Sequence, residues 1–270
     1  MIMTFLGISA IALYLVAGGL LVRRLLRRPE GEFLNKRYTI AIALTGAVLQ
    51  SVVLSQEILT KGGFDFAFFH AASLITWVMV LLLMLAAVAR PIENLGVAIL
   101  PIAAAGLALD LGFHTRHVVI ESHGVGLDLH IIFSVLAYSV LAIAAAQAVL
   151  LAIQESHLHR KRPGGIIRVL PPLETMEALL FQMIGLGFVL LTVALIKGFA
   201  FLQDIVAQHL VHKTVLSMLA WVVFAVLLWG RYRFGWRGRI AIRWTLAGFV
   251  FLLLAYFGSK LVLELILARV

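Results

Sequence analysis

The chain has no cysteine, which excludes disulfides, thiolate metal sites and cysteine nucleophiles. It is also poor in charge. Only 13% of its 270 residues are Asp, Glu, Lys or Arg, about half the share usual in a soluble domain. It lacks a phosphate loop, GxSxG, HExxH and any carboxylate pair spaced for acid–base work, so no catalytic reaction is advertised. What it has in abundance is apolar surface: 63% apolar or aromatic residues and a mean hydropathy of +1.06. A spanning helix takes about 20 such residues, which leaves room for roughly eight or nine spans and little else. A soluble enzyme, a nucleic-acid module and a large extramembrane domain are excluded. The formal charge of +9 then reads as basic loops facing the cytoplasm, not as a nucleic-acid surface.

Apolar runs broken by charge or turn residues predict eight spans, at 3–22, 38–60, 66–89, 94–112, 129–153, 176–202, 212–230 and 243–267. The first is expected to stay as a span and not to be a cleaved signal, because MIMTF carries no charge and Arg23, Arg24, Arg27 and Arg28 follow the run. Those arginines hold their end inside and place the N-terminus outside. In that orientation the cytoplasmic connections are 23–37, 90–93, 154–175 and 231–243. They hold sixteen of the 22 Lys and Arg, against six elsewhere, and an even span number puts the C-terminus outside as well. The five tryptophans, Trp77, Trp221, Trp229, Trp236 and Trp244, are expected mostly near span ends or in the last basic loop, as interfacial anchors. The connection HLHRKRPGGIIRVLPPLETMEA is read as a loop that closes into a helix start at Glu174 and Thr175. No repeat of the span pattern is evident. The expectation is an all-α polytopic protein, a bundle of eight transmembrane helices forming one domain over 1–270 in the lipid bilayer.

Nine histidines are the most informative polar feature. His114, His117, His123 and His130 fall in or beside the outer loop 113–129, and His209 and His212 before span seven. His70 lies a few residues into span three, near the same face, while His157 and His159 fall in a basic inner loop. Neutral imidazole is the commonest metal and haem-iron ligand. The pairs His114/His117 and His209/His212 are spaced to share a face if helical, though loop histidines are commonly only solvated. His130 and His70 differ, because a ring at a span end needs a partner. That partner can equally be a packing hydrogen bond. Lys260 and Glu264 can pair along one helix, and Lys197 can reach toward Asp204.

From span five onward the chain resembles a known family. PPLETMEALLFQMIGLGFVLLTVALIKGFA (171–200) is similar to the signature of the cytochrome c assembly protein family, the CcsA/CcmC/HemX group. LHIIFSVLAYSVLAIAAAQAVL (129–150), FFHAASLITW (68–77), HKTVLSMLAWVVFAVLLWGRYRFGWRGRIAIRW (212–244) and LAYFGSK (254–260) carry the likeness further. The family-like core runs over about 66–267. The resemblance implies haem, bound at the outer face between a tryptophan-rich WWD loop and ligating histidines. Carried across, His130 falls on the external histidine before that loop. The loop itself, FLQDIVAQHLVHK, has no tryptophan, and the two later family histidines fall on Trp229 and Leu267. A second ligand would then come from His70, His212 or His209, with His70 first because ordering the loop costs about 1–2 kcal/mol per residue.

The resemblance thus implies a membrane haem-binding or haem-handling protein without the WWD loop, with His130 on the iron and proteins of cytochrome c assembly or haem biosynthesis as partners. The alternatives are a non-enzymatic HemX-like regulatory or accessory protein and, from another class, a small-molecule or ion transporter using the buried Lys and His residues.

Overall fold

Backbone polar groups inside lipid have no water to bond, so runs of about 20 apolar residues fold into helices that satisfy their own N–H and C=O groups. A computed structural model describes residues 2–26, 33–60, 63–65, 67–89, 92–113, 119–120, 125–159, 171–199 and 211–258. Among them are eight helices long and apolar enough to cross a membrane. They are α1 (Ile2–Leu26), α2 (Phe33–Ile58), α3 (Phe68–Ala89), α4 (Gly96–Gly112), α5 (Val125–His159), α6 (Leu173–Phe199), α7 (Val211–Phe234) and α8 (Gly238–Leu253). Three short strands, β1 (Leu59–Thr60), β2 (Gly63–Asp65) and β3 (Val119–Ile120), pair antiparallel in that order. The helices fall into two compact units, α1–α4 and α5–α8.

In the first unit α1 packs on α2 and α4, and α3 packs on the same two helices, closing a ring. Small residues let the backbones approach: a Cβ at Gly46 would sit 3.0 Å from the Tyr14 ring, and one at Gly106 would sit 2.9 Å from Thr76 Oγ1. A buried polar cluster crosses this core. The Tyr14 hydroxyl donates to Gln50 Oε1 at 2.7 Å, and Gln50 Nε2 donates to Ser73 Oγ at 3.1 Å. Trp77 Nε1 donates to the Ala47 carbonyl at 2.7 Å. At one end Glu93, in a 3-10 turn before α4, is held by Arg24 at 3.3 Å and Lys36 at 3.4 Å. The strands follow α2 and α4 at the other end.

In the second unit, cross-helix contacts give the register. His130 meets Ala194, Gln147 meets Met176 and Gln154 meets Pro171, so α5 and α6 are antiparallel. Trp221 donates to Thr192 Oγ1 at 2.9 Å while Arg231 lies over the Phe181 ring at 4.7 Å, so α6 and α7 are antiparallel too. The tight turn between α7 and α8 uses Gly235 and Gly238 at φ 67° and 54°, where a side chain would be strained. A π turn, Leu254–Gly258, ends α8. Such turns break the regular ladder, and the Leu252 carbonyl here accepts the Tyr138 hydroxyl.

The structure corrects several boundaries. Helix α5 runs to His159, six residues past its predicted end. Its 33-residue span is about 50 Å long, more than the roughly 30 Å of hydrocarbon, so its polar final turns need no apolar pattern. His157 is therefore an exposed helix residue bonded to the Ile153 carbonyl, not part of a loop. Trp77 and Trp221 sit in mid-helix with hydrogen-bond partners, whereas Trp229, Trp236 and Trp244 gather at one end. Lys260 and Glu264 lie outside the described residues, as does Asp204.

Orientation rests on charge. Reporters fused after residues 30, 92, 165 and 238 should report the cytoplasm, and those after 62, 120 and 207 the outside. An outside signal at 165 would overturn the assignment.

Candidate functional site

Each unit carries one histidine at a helix start with a defined partner. His130, in the second turn of α5, places Nδ1 2.7 Å from the carbonyl oxygen of Ala194 on α6. A carbonyl only accepts, so the ring proton is on Nδ1 and the lone pair of the neutral ring is on Nε2. No group pairs with Nε2 among the described residues. This is the tautomer an imidazole needs to ligate a metal, with the ring turned by an outer hydrogen bond. The close approach depends on Gly198, one turn beyond Ala194. A Cβ there would lie 3.0 Å from His130 Cε1 and 3.2 Å from Nδ1. The ring is half-buried.

The antiparallel register of α6 and α7 carries the first turn of α7, with His212, to the level of Phe199. Lys197 in the last turn of α6 and Lys213 in the first turn of α7 fall at the same end. His209, His114, His117 and His123 lie outside the described residues. Trp229 is about 27 Å along α7 from that end, its ring centroid 5.7 Å from that of Phe234.

His70, the third residue of α3, belongs to the first unit. Its Nδ1 donates to Asp110 Oδ1 on α4 at 2.6 Å, with Asp110 4% exposed. Asp110 Oδ2 is buried with no hydrogen-bond partner among the described residues. Phe69 stacks on Phe113 beside the pair, ring centroids 5.3 Å apart. Sequence reasoning singled out His70 but missed Asp110, although a lone acid in the apolar run LALDLGF was signal enough. Among the described residues no group of three or more His, Asp and Glu is placed to hold a metal ion.

The chain is similar to several known proteins. Inner membrane protein YpjD of Escherichia coli K12 is 33% identical over 270 residues, covering 98% of this chain and 100% of that protein. An uncharacterised 28.8 kDa protein of Azospirillum brasilense is 37% identical over 146 residues, 53% of this chain and 54% of the relative. Cytochrome c biogenesis protein CcsA of Trichormus variabilis is 32% identical over 90 residues, 33% of this chain and 26% of its own length. No solved structure matches significantly. The family described as Cytochrome C assembly protein matches residues 38–267, from α2 through α8, and the chain belongs to that family.

Proposed function

We propose that this protein binds and handles haem in a bacterial-type inner membrane, with His130 as the axial ligand through Nε2. The observation that carries the reading is the His130 Nδ1–H bond to the Ala194 carbonyl. It fixes the ligating tautomer before any iron arrives and spends no ligand atom on packing. The donor set fits a haem iron, since one or two imidazoles suffice. His212 is the second ligand in this reading, because it shares an end of the second unit with His130. Lys197 and Lys213 at that end supply cations for the haem propionates. Haem, when bound, supplies iron redox chemistry. The chain's own residues orient the imidazole and hold the site against the apolar helix ends. Partners are then the proteins of cytochrome c assembly or haem biosynthesis that give or receive haem.

The decisive experiment is purification from haem-replete cells and a visible spectrum, oxidised and reduced. A Soret band with low-spin features supports the reading, and protein free of haem rejects it. A narrower test uses Gly198. Gly198→Val crowds the imidazole and forces it off the Ala194 carbonyl, so haem occupancy should fall about 10-fold or more, as losses of outer-shell partners do. Gly185→Ala, on the same helix with nothing within 4 Å of an added Cβ, should leave occupancy unchanged.

A further inference from the structure

The end of the second unit opposite His130 is crowded with arginine: Arg231, Arg233, Arg237, Arg239 and Arg243 within thirteen residues. Most are committed. Arg231 Nη1 donates to the Trp236 carbonyl at 3.1 Å and its guanidinium covers Phe181. Arg237 bonds Glu177 at 3.0 Å and Glu174 at 3.3 Å. Those carboxylates, Glu177 first, raise its pKa above the ordinary arginine value. Glu177 Oε1 also accepts the Gly238 N–H at 2.8 Å, closing the α8 N-terminus. Arg239 pairs with Glu155 at 3.3 Å.

Arg243, one turn further along α8, is exposed and makes no ion pair among the described residues. It borders a groove of about 160 Å³ between Ala152, Glu155 and Ser156 of α5 and Arg239, Ile242 and Arg243 of α8. The floor is apolar, with Ile242 buried. Two arginines against one carboxylate leave the groove with a net positive charge, and the Ser156 hydroxyl adds a donor. The same end of the unit carries an aromatic ladder on the α7 side of α8. Phe234 and Trp236 stack at 6.3 Å and Trp236 meets Trp244 at 5.6 Å, while Trp229 is 61% exposed. Indole rings concentrate at the headgroup level of a bilayer, and basic pockets between transmembrane helices at that level take anionic headgroups.

We propose that this groove binds the phosphate of an anionic phospholipid, with Arg243 and Arg239 as cations and Ser156 as a hydroxyl donor. The apolar floor favours a lipid over free phosphate, since it would hold the glycerol and upper chain, and the indoles at the same end place the groove at headgroup level. This inference does not depend on haem binding.

The test uses the full chain in phosphatidylcholine vesicles containing a small fraction of brominated phosphatidylglycerol or brominated phosphatidylcholine, with tryptophan emission as readout. Brominated phosphatidylglycerol should quench at a several-fold lower fraction. Arg243→Gln and Arg239→Gln should each weaken that preference about five-fold, while Arg233→Gln should not. Arg243→Gln removes no ion pair among the described residues, so it tests the site even if Arg239→Gln unfolds the turn. Equal quenching by the two lipids, or a preference that survives Arg243→Gln, overturns the proposal. Loss of the preference on adding millimolar inorganic phosphate at constant ionic strength would assign the groove to free phosphate and overturn it as a lipid site.

Discussion

His130→Ala is expected to strip most haem from the purified protein. The loss should exceed the roughly 10–100-fold seen for outer-shell changes, because the substitution removes the ligating atom itself. Imidazole in the medium should partly restore the spectrum by occupying the vacated coordination position. His157→Ala and His159→Ala should leave the spectrum as it is. His157 bonds its own helix at Ile153 at the far end of α5. His212→Ala should convert a closed low-spin iron to one with an open position. An unchanged spectrum in His130→Ala would end the assignment.

His70→Ala is expected to be the most destabilising single change in the first unit. Asp110 is 4% exposed and already has one oxygen without a partner. Removing the imidazole takes the other oxygen's 2.6 Å bond as well. Breaking a buried pair by deleting one partner costs about 3–5 kcal/mol, whereas replacing both by apolar residues is often neutral. His70→Leu combined with Asp110→Leu should therefore recover most of the thermal stability lost in His70→Ala, measured as the aggregation midpoint in detergent. A double variant as unstable as the single one would show that the pair does more than satisfy itself. The double variant should also keep the haem spectrum, since the proposed ligands belong to the second unit.

The eight helices were legible because lipid imposes a crude rule that composition alone can satisfy. Boundaries were less so where that rule stops applying. The polar turns of α5 beyond Ile153 exceed the length a bilayer requires, and their helicity comes from continuing an established ladder, with Gln154 bonding the Pro171 carbonyl at 3.0 Å. The short strands at 59–60, 63–65 and 119–120 follow no periodic signal, because two or three residues are too few to show one. The family, too, was legible, in segments such as 171–200 and 129–150.

The sequence by itself therefore determined the solvent of this protein, the eight spanning helices among the described residues, its charge asymmetry and the candidate histidines. Each is a property of residues counted one at a time or along one helix. Only the tertiary structure decided what each imidazole is bonded to. His130 and His70 look alike in the sequence, two imidazoles near span ends. The fold gives one a carbonyl that can only accept, and the other a buried carboxylate on a neighbouring helix. Partners 64 and 40 residues away are set by helix register and by which small residues let helices approach, as Gly198 does for the His130 ring. No local pattern encodes that, because the proton's place on an imidazole depends on the atom it faces.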